Sequence, residues 1–329
     1  MPVVAVLCIV VFPPWEGIWA WVRPLPDTVQ EQVAAAIGHG LDGIVVYVGE
    51  AGKPSAFYTA GWKDRGNKIP ADPQALFKIA SISKLYVAAA VVKLAHKQRL
   101  SLDDTLVEYF PELAGRIENG EKITLRMMLK HRSGIPNLTD HPDYPWADPP
   151  KNNEEALGYA LDRPAAFEPD EEYEYSNTNY LLLAETIDKV TGYNHHQYIK
   201  EAILIPLGLR NTFSSLRAVD SNDLMSGYYL GWEPDIKENY FGSMVATAED
   251  VGLFLRALND GSLLDEEEQA TYSSVYEYEH TGLLPGYYSI ARYHKDIDAA
   301  VVQVVNTTGG NTVLTSNIVY DRIVQILRR

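Results

Sequence analysis

The stretch FKIASISKLYVAAAVVKL, residues 77–94, decides how the rest of the 329-residue chain is read. It is rich in helix formers and apolar on most sides. That pattern predicts a helix over residues 77–94 that is buried from several directions. Ser81, Ser83 and Lys84 interrupt it near its start, and a helix that only fills a core needs none of them. Residues three apart on a helix are neighbours, so Ser81 and Lys84 face one another. A serine hydroxyl is a weak nucleophile until a base takes its proton. A lysine serves as that base when burial lowers its pKa towards working pH. The spacing alone carries little weight. About one S-x-x-K arises by chance in a chain this long. A serine at a helix start beside a snorkelling lysine explains the motif more readily.

Working outward, strand signals gather at both ends of the chain and helical signals between them. On the N-terminal side, Asp27 is placed to cap a helix over 28–37, closed by Gly38 and Gly40. Residues 43–49 (GIVVYVG) read as a buried strand and 55–62 (SAFYTAGW) as its partner, with a polar loop over 64–73. On the C-terminal side the helical signals are 124–131, 153–161, 180–190, 195–204 and 246–258. Strands follow at 275–281, 287–293 and 299–306, then a helix over 311–327. The expected fold class is α/β. A mostly antiparallel sheet flanked by helices is formed by the N- and C-terminal segments, with a mainly helical domain inserted between them. The boundaries are 1–26 for an N-terminal arm, 27–98 and 239–329 for the sheet domain, and 99–238 for the helical domain.

Two further triplets carry candidate chemistry. In Tyr175-Ser176-Asn177, residues two apart in an extended segment point the same way, so a phenol and an amide can face one cavity. The phenol could relay protons; the amide could bind a substrate carbonyl and steady the lysine. Taken alone, the triplet is better explained as a loop that caps the following helix through Asn177 or Thr178. His280-Thr281-Gly282 falls near a strand end. There glycine permits close approach of a substrate backbone, and the Leu283 N–H could point at an oxyanion. An ordinary strand-to-turn exit is the plain alternative.

Taken together, in this order and spacing, S-x-x-K, Y-x-N and H-T-G resemble the penicillin-recognising serine hydrolases, specifically the class C β-lactamase-like group. That group also includes D-stereospecific peptidases and carboxylesterases. The resemblance runs from about Val29 to Leu327. Further signatures are residues 129–136 (LKHRSGIP), 175–180 (YSNTNY), 206–209 (PLGL) and 247–250 (TAED). It implies a β-lactamase/transpeptidase-like fold. It also implies that Ser81 attacks the carbonyl while Lys84 and Tyr175 share proton transfers. Asn177 would orient the substrate amide, and the Ser81 and Leu283 N–H groups would form an oxyanion hole. His280, aided by Thr281, would lie beside the leaving group or a substrate carboxylate. No cofactor and no metal are implied. The departure is His280, where efficient β-lactamases of the group carry lysine. A histidine is only partly charged near neutral pH. This moves the expected substrates towards esters, amides and D-amino-acid peptides. A β-lactamase or D-Ala carboxypeptidase with the same site is the alternative, and a homologue that binds without turnover is a further one.

Composition narrows the partners. Forty-four acidic against 28 basic residues give a net charge of −16, which repels nucleic acid. A small molecule or peptide is the expected partner, with no firm membrane partner and an open oligomeric state. The single cysteine, Cys8, rules out an internal disulfide and a multi-cysteine zinc site. The apolar run over residues 3–12 is too short to span a bilayer as a helix. If it is a signal the protein is periplasmic or secreted; otherwise it is cytoplasmic. His195-His196 is expected to be an exposed pair whose rings diverge, and His131 to close its helix by local bonds. Residues 228–232 and 144–146 are candidate walls of an acyl pocket, with packing as the simpler reading.

Overall fold

The computed structural model describes residue 21 and residues 23–329, so the apolar run over 3–12 lies outside the described residues. The first helix, α1 (Val29–Ile37), is capped not by Asp27 but by Thr28, whose side chain and that of Glu31 close a reciprocal capping box. The chain then lays down β1 (Gly43–Glu50), β2 (Ala56–Asp64) and β3 (Ile69–Pro70). Near the C-terminus come β8 (His280–Leu284), β9 (Tyr287–His294) and β10 (Ala299–Val305). These form one antiparallel six-stranded sheet in the order β3-β2-β1-β10-β9-β8. Both chain ends therefore build the sheet, and β8 is left at its edge.

The central strands read as unbroken apolar runs because both faces of the sheet are covered. Ile44, Val46 and Val48 of β1 pack with α1 and with the last helix, α9 (Thr312–Leu327). Val45 and Tyr47, on the opposite face, join the larger core. That core includes α2 (Ser83–His96) and α7 (Ala248–Asp260), and Tyr86 of α2 stacks on Phe254 of α7 at 3.7 Å. Between β3 and α7 lie α3 (Leu125–Leu129), α4 (Asn153–Leu157), α5 (Asn177–Thr191) and α6 (His195–Ile199), the last continuing as a π-turn.

The buried helix starts later than its composition suggests. Phe77-Lys78 forms a short strand, β4, that pairs with β7 (Val245–Ala246), which in turn pairs with β5 (Thr212–Phe213). Ala80 takes a left-handed φ of 50°, residues 80–82 form a 3-10 turn, and α2 begins at Ser83. Ser81 thus sits on a tight turn at the helix entrance, with Lys84 inside the helix. A remote pairing partner, absent from the local pattern, captured the first two residues. Ala246 was likewise taken from the expected helix over 246–258, which begins at Ala248.

Two other expectations change. A helix, α8 (Glu266–Val275), ends where a strand from Val275 was expected, and that strand begins only at His280. Residues 228–232 lie away from the cavity described below. There β6 (Tyr228–Tyr229) pairs with β11 (Thr307–Thr308), and the Tyr228 hydroxyl accepts the Arg65 N–H.

Candidate active site

Three segments converge at the entrance of α2. The first is the turn that carries Ser81. Its Oγ lies 2.7 Å from the Tyr175 hydroxyl, which donates to it, and 3.2 Å from Lys84 Nζ. Lys84 also donates to Asn177 Oδ1 at 2.7 Å and faces the rings of Tyr175 and Tyr180. Ser81, Lys84, Tyr175 and Asn177, read separately along the chain, therefore meet.

The electrostatics separate the roles these groups can take. Lys84 is enclosed, it donates to a hydroxyl and an amide oxygen, and no carboxylate among the described residues pairs with it. Burial lowers its pKa to about 7, so much of it is neutral amine at neutral pH. Burial raises the Tyr175 phenol to about 12, so it keeps its proton and donates.

The second segment is the start of α5, and the two signature stretches explain each other here. Thr178 Oγ1 donates to Pro136 O at 2.7 Å and accepts the Leu138 N–H at 3.0 Å. Ser133 Oγ donates to Asn179 Oδ1 at 2.7 Å. Asn137 Oδ1 accepts the Asn177 N–H at 2.9 Å, and Asn177 Nδ2 donates to Thr139 Oγ1 at 3.0 Å. The loop over 133–139 thus clamps Asn177 so that its oxygen meets Lys84 and one amide hydrogen stays free. Sequence reasoning missed Asn137 and Thr139; their place directly after the Ser133-Gly134-Ile135-Pro136 turn was the available signal. His131 closes its helix as expected, its N–H donating to Met128 O at 3.2 Å, and its ring also bonds across to this segment. Its Nδ1 accepts the Ser176 N–H at 3.1 Å, which places its proton on Nε2, and its ring lies 4.5 Å from Tyr175. Burial lowers its pKa to about 3.

The third segment is edge strand β8. A Cβ on Gly282 would come within 2.3 Å of Ile79 O and 3.2 Å of Ala80 Cβ. The glycine therefore lets the strand press against the turn that carries Ser81. Leu283 is 52% exposed and lines the same cavity as Ser81. His280 stacks on Tyr276 at 6.0 Å and lies 6.4 Å from Tyr175. Its Nδ1–H donates to the Thr281 carbonyl, and burial lowers its pKa to about 4, so the ring is neutral at pH 7. Thr281 pairs with Ile290 in the sheet and, like His280, is not among the residues lining the cavity.

The cavity measures about 350 Å³, within the range of small-molecule sites. It starts at Ser81 and runs between α2 and α5. Lys84 and Val87 face it from one helix; Asn177, Leu181 and Ala184 face it from the other, at helical spacing. Seven residues of helix span about 10 Å. Tyr144 and Trp146 line it, although packing was the simpler expectation, while Tyr240 and Phe241 stand where residues 228–232 were candidates. His195 and His196 line it too, so they are not an exposed pair. His195 Nδ1 lies 2.9 Å from Asp188 Oδ1, and burial lowers the His196 pKa to about 3.

The wall over 236–243 is held by Lys78, which the sequence reading passed over. Lys78 is 1% exposed and donates to Asn239 O at 2.8 Å and Ile236 O at 3.1 Å. Its ammonium lies 5.0 Å from the ring centres of Phe241 and Tyr287. Ser243 Oγ from the same wall accepts the Ala80 N–H at 2.8 Å, next to Ser81. Among the described residues, no cluster of three or more His, Cys, Asp or Glu could hold a metal, and no helix is long and apolar enough to cross a membrane.

Comparison with known proteins shows the family and the fold. A family model, Beta-lactamase, matches residues 25–277, well over half of the chain. Protein flp of Staphylococcus aureus strain MW2 is 31% identical over 214 residues, 63% of this chain and 42% of that protein. Penicillin-binding protein 4* of Bacillus subtilis strain 168 is 29% identical over 202 residues, 60% of this chain and 43% of that protein. The chain thus matches less than half the length of either curated relative. The solved structure of D-amino acid amidase from Ochrobactrum anthropi SV3, complexed with L-phenylalanine, has a TM-score of 0.82 at 22% identity, covering 91% of this chain and 98% of that one. At that identity the likeness is one of fold.

Proposed function

The chain belongs to the Beta-lactamase family, and from that premise we propose that it is a serine hydrolase that forms an acyl-enzyme at Ser81 on ester, amide or D-amino-acid peptide substrates. The observation that carries the reading is the Ser81–Lys84–Tyr175 triangle, with contacts of 3.2 and 2.7 Å to one hydroxyl oxygen. A lysine with a pKa of about 7 is matched to general-base work at neutral pH, while a phenol at about 12 is not. Lys84 as neutral amine takes the Ser81 proton as Oγ bonds to the carbonyl carbon. The oxyanion that forms lies beside the turn N–H of Ser81 and the edge-strand N–H of Leu283. When the carbon–leaving-group bond breaks, the proton returns to the leaving group through Lys84 and the Tyr175 hydroxyl. Water then attacks the acyl carbon with the same base, releasing the acid. Asn177 holds the amine in place and offers its free amide hydrogen to the substrate.

Neutral His280 favours this reading over a β-lactamase or D-Ala carboxypeptidase, both of which must hold a carboxylate. The test is a turnover panel of a short-chain aryl ester, a D-amino-acid peptide and a cephalosporin, run on wild type and on Ser81→Ala. Ester or peptide turnover that vanishes in the variant is expected. Turnover that survives it overturns the proposal, and rapid cephalosporin turnover favours the β-lactamase alternative.

A further inference from the structure

The cavity's lack of charge stands out against the rest of the molecule. The chain carries 44 acidic and 28 basic residues. Among the described residues that line the cavity there is no Asp, Glu or Arg, and Lys84 is the lysine present. Two acids on the helix beside its far end, Glu185 and Asp188, do not line it. Asp188 is engaged by His195 at 2.9 Å, and Glu185 bonds to Asn153 with its carboxyl pKa raised by burial. The walls beyond Lys84 are apolar or neutral: Val87, Leu181 and Ala184 first, then Asn153 and His196.

Such a lining penalises either charge on a substrate. An ammonium beside the scissile carbonyl would find no carboxylate in the cavity lining, Glu277 acting only from behind Tyr175, and would face Lys84, whose protonated form repels it. A carboxylate would find Lys84 as its partner. Pairing would then raise the lysine's pKa and remove the free amine that must accept the Ser81 proton. The neutral His280 ring offers no substitute cation.

Building on the serine-hydrolase reading, we propose that the cavity selects substrates with no charge near the reacting carbonyl: N-acylated, end-blocked esters or amides with an apolar or aromatic body. A free amino acid derivative and a free carboxylate are both disfavoured. The acyl arm lies along Val87, Leu181 and Ala184, and a neutral polar group at its tip reaches Asn153 and His196.

The experiment compares three methyl esters of racemic phenylalanine whose amino substituent is cationic, neutral or anionic: free amine, N-acetyl and N-succinyl. The expected kcat/KM for the N-acetyl ester exceeds each of the others by tenfold or more. Leu283, exposed at the cavity edge, allows a charge swap with little demand on folding. Leu283→Glu should move the ratio towards the free amine and Leu283→Lys towards the succinyl ester, each by several-fold. Equal or better turnover of a charged ester by wild type overturns the proposal, as do ratios that fail to move in opposite directions. p-Nitrophenyl acetate separates the two levels. If it is hydrolysed in a Ser81-dependent way while all three phenylalanine esters are refused, the substrate class is wrong and the serine mechanism stands. Acetate turnover unchanged in Ser81→Ala overturns the mechanism itself.

Discussion

Lys78 and Lys84 are both buried and both have pKa values lowered to about 7 by burial, yet they sit in opposite surroundings on either side of Ser81. Lys78 is caged. Two backbone carbonyls accept from it, two aromatic rings flank it, and Asp235 and Glu238 act on it electrostatically. Lys84 also faces two rings, but it touches a hydroxyl and an amide oxygen and opens onto a cavity. A lowered pKa is therefore common to a lysine that holds a loop and to one placed to move a proton. What distinguishes them is whether a reactive group lies within reach of the nitrogen.

Replacing each lysine sharpens that contrast. Lys84→Met should lower kcat/KM by about 10²–10⁴-fold, the usual worth of a general base. In wild type kcat/KM should rise with pH through about 7 as Lys84 loses its proton, and the variant should lose that limb. A limb that survives in Lys84→Met and disappears in Lys78→Met would reverse the two assignments.

Gly282→Ala tests the turn between the lysines. The new methyl group meets Ile79 O, so β8 must move off the Ser81 turn. Misplacement on the order of 1 Å costs up to about 100-fold in kcat/KM. Kinetics matching wild type would mean that the strand does not position the site.

Lys78→Met should act more mildly and differently. It leaves two carbonyls short of a donor, so denaturant unfolding should show a loss of about 1–3 kcal/mol. KM should rise as the wall over 236–243 loosens, while the pH limb near 7 persists. Lys78→Arg should restore part of the loss. An unchanged KM in Lys78→Met would confine its role to stability.

A separate effect, apart from the contrast between the two lysines, is on stability in acid. Burial holds His131 and His196 to pKa values of about 3 and His280 to about 4, against about 6.5 in an unfolded chain. Between those values the unfolded state binds more protons. Stability should therefore fall as pH drops from about 6.5 towards 3. Replacing His131 by Gln should flatten that decline in urea titrations.

The sequence carried the sheet and the meeting of motifs further than it carried the walls. The runs of β1 and β10 were legible because both faces of each strand are buried, and Ser81, Lys84, Tyr175 and Asn177 because their types suit one chemistry. The helix over 77–94 was misjudged at its start, since the β4–β7 pairing is set by residues more than 160 positions away. The helix α8 was hidden by weak apolar periodicity, although Asp265 and Glu268 form a capping box that could have marked it. His195 and His196 read as exposed because nothing local shows which way a five-residue helix will face. Lys78 was overlooked because its value lies in carbonyls over 150 residues downstream.

The central claim is that Ser81 becomes acylated. Its most direct measurement is intact-protein mass, with peptide mapping, after a brief pulse of p-nitrophenyl acetate. One acetyl group should appear on Ser81 in wild type, decay with turnover, and be absent from Ser81→Ala. An adduct that maps elsewhere, or that forms equally in Ser81→Ala, would contradict it.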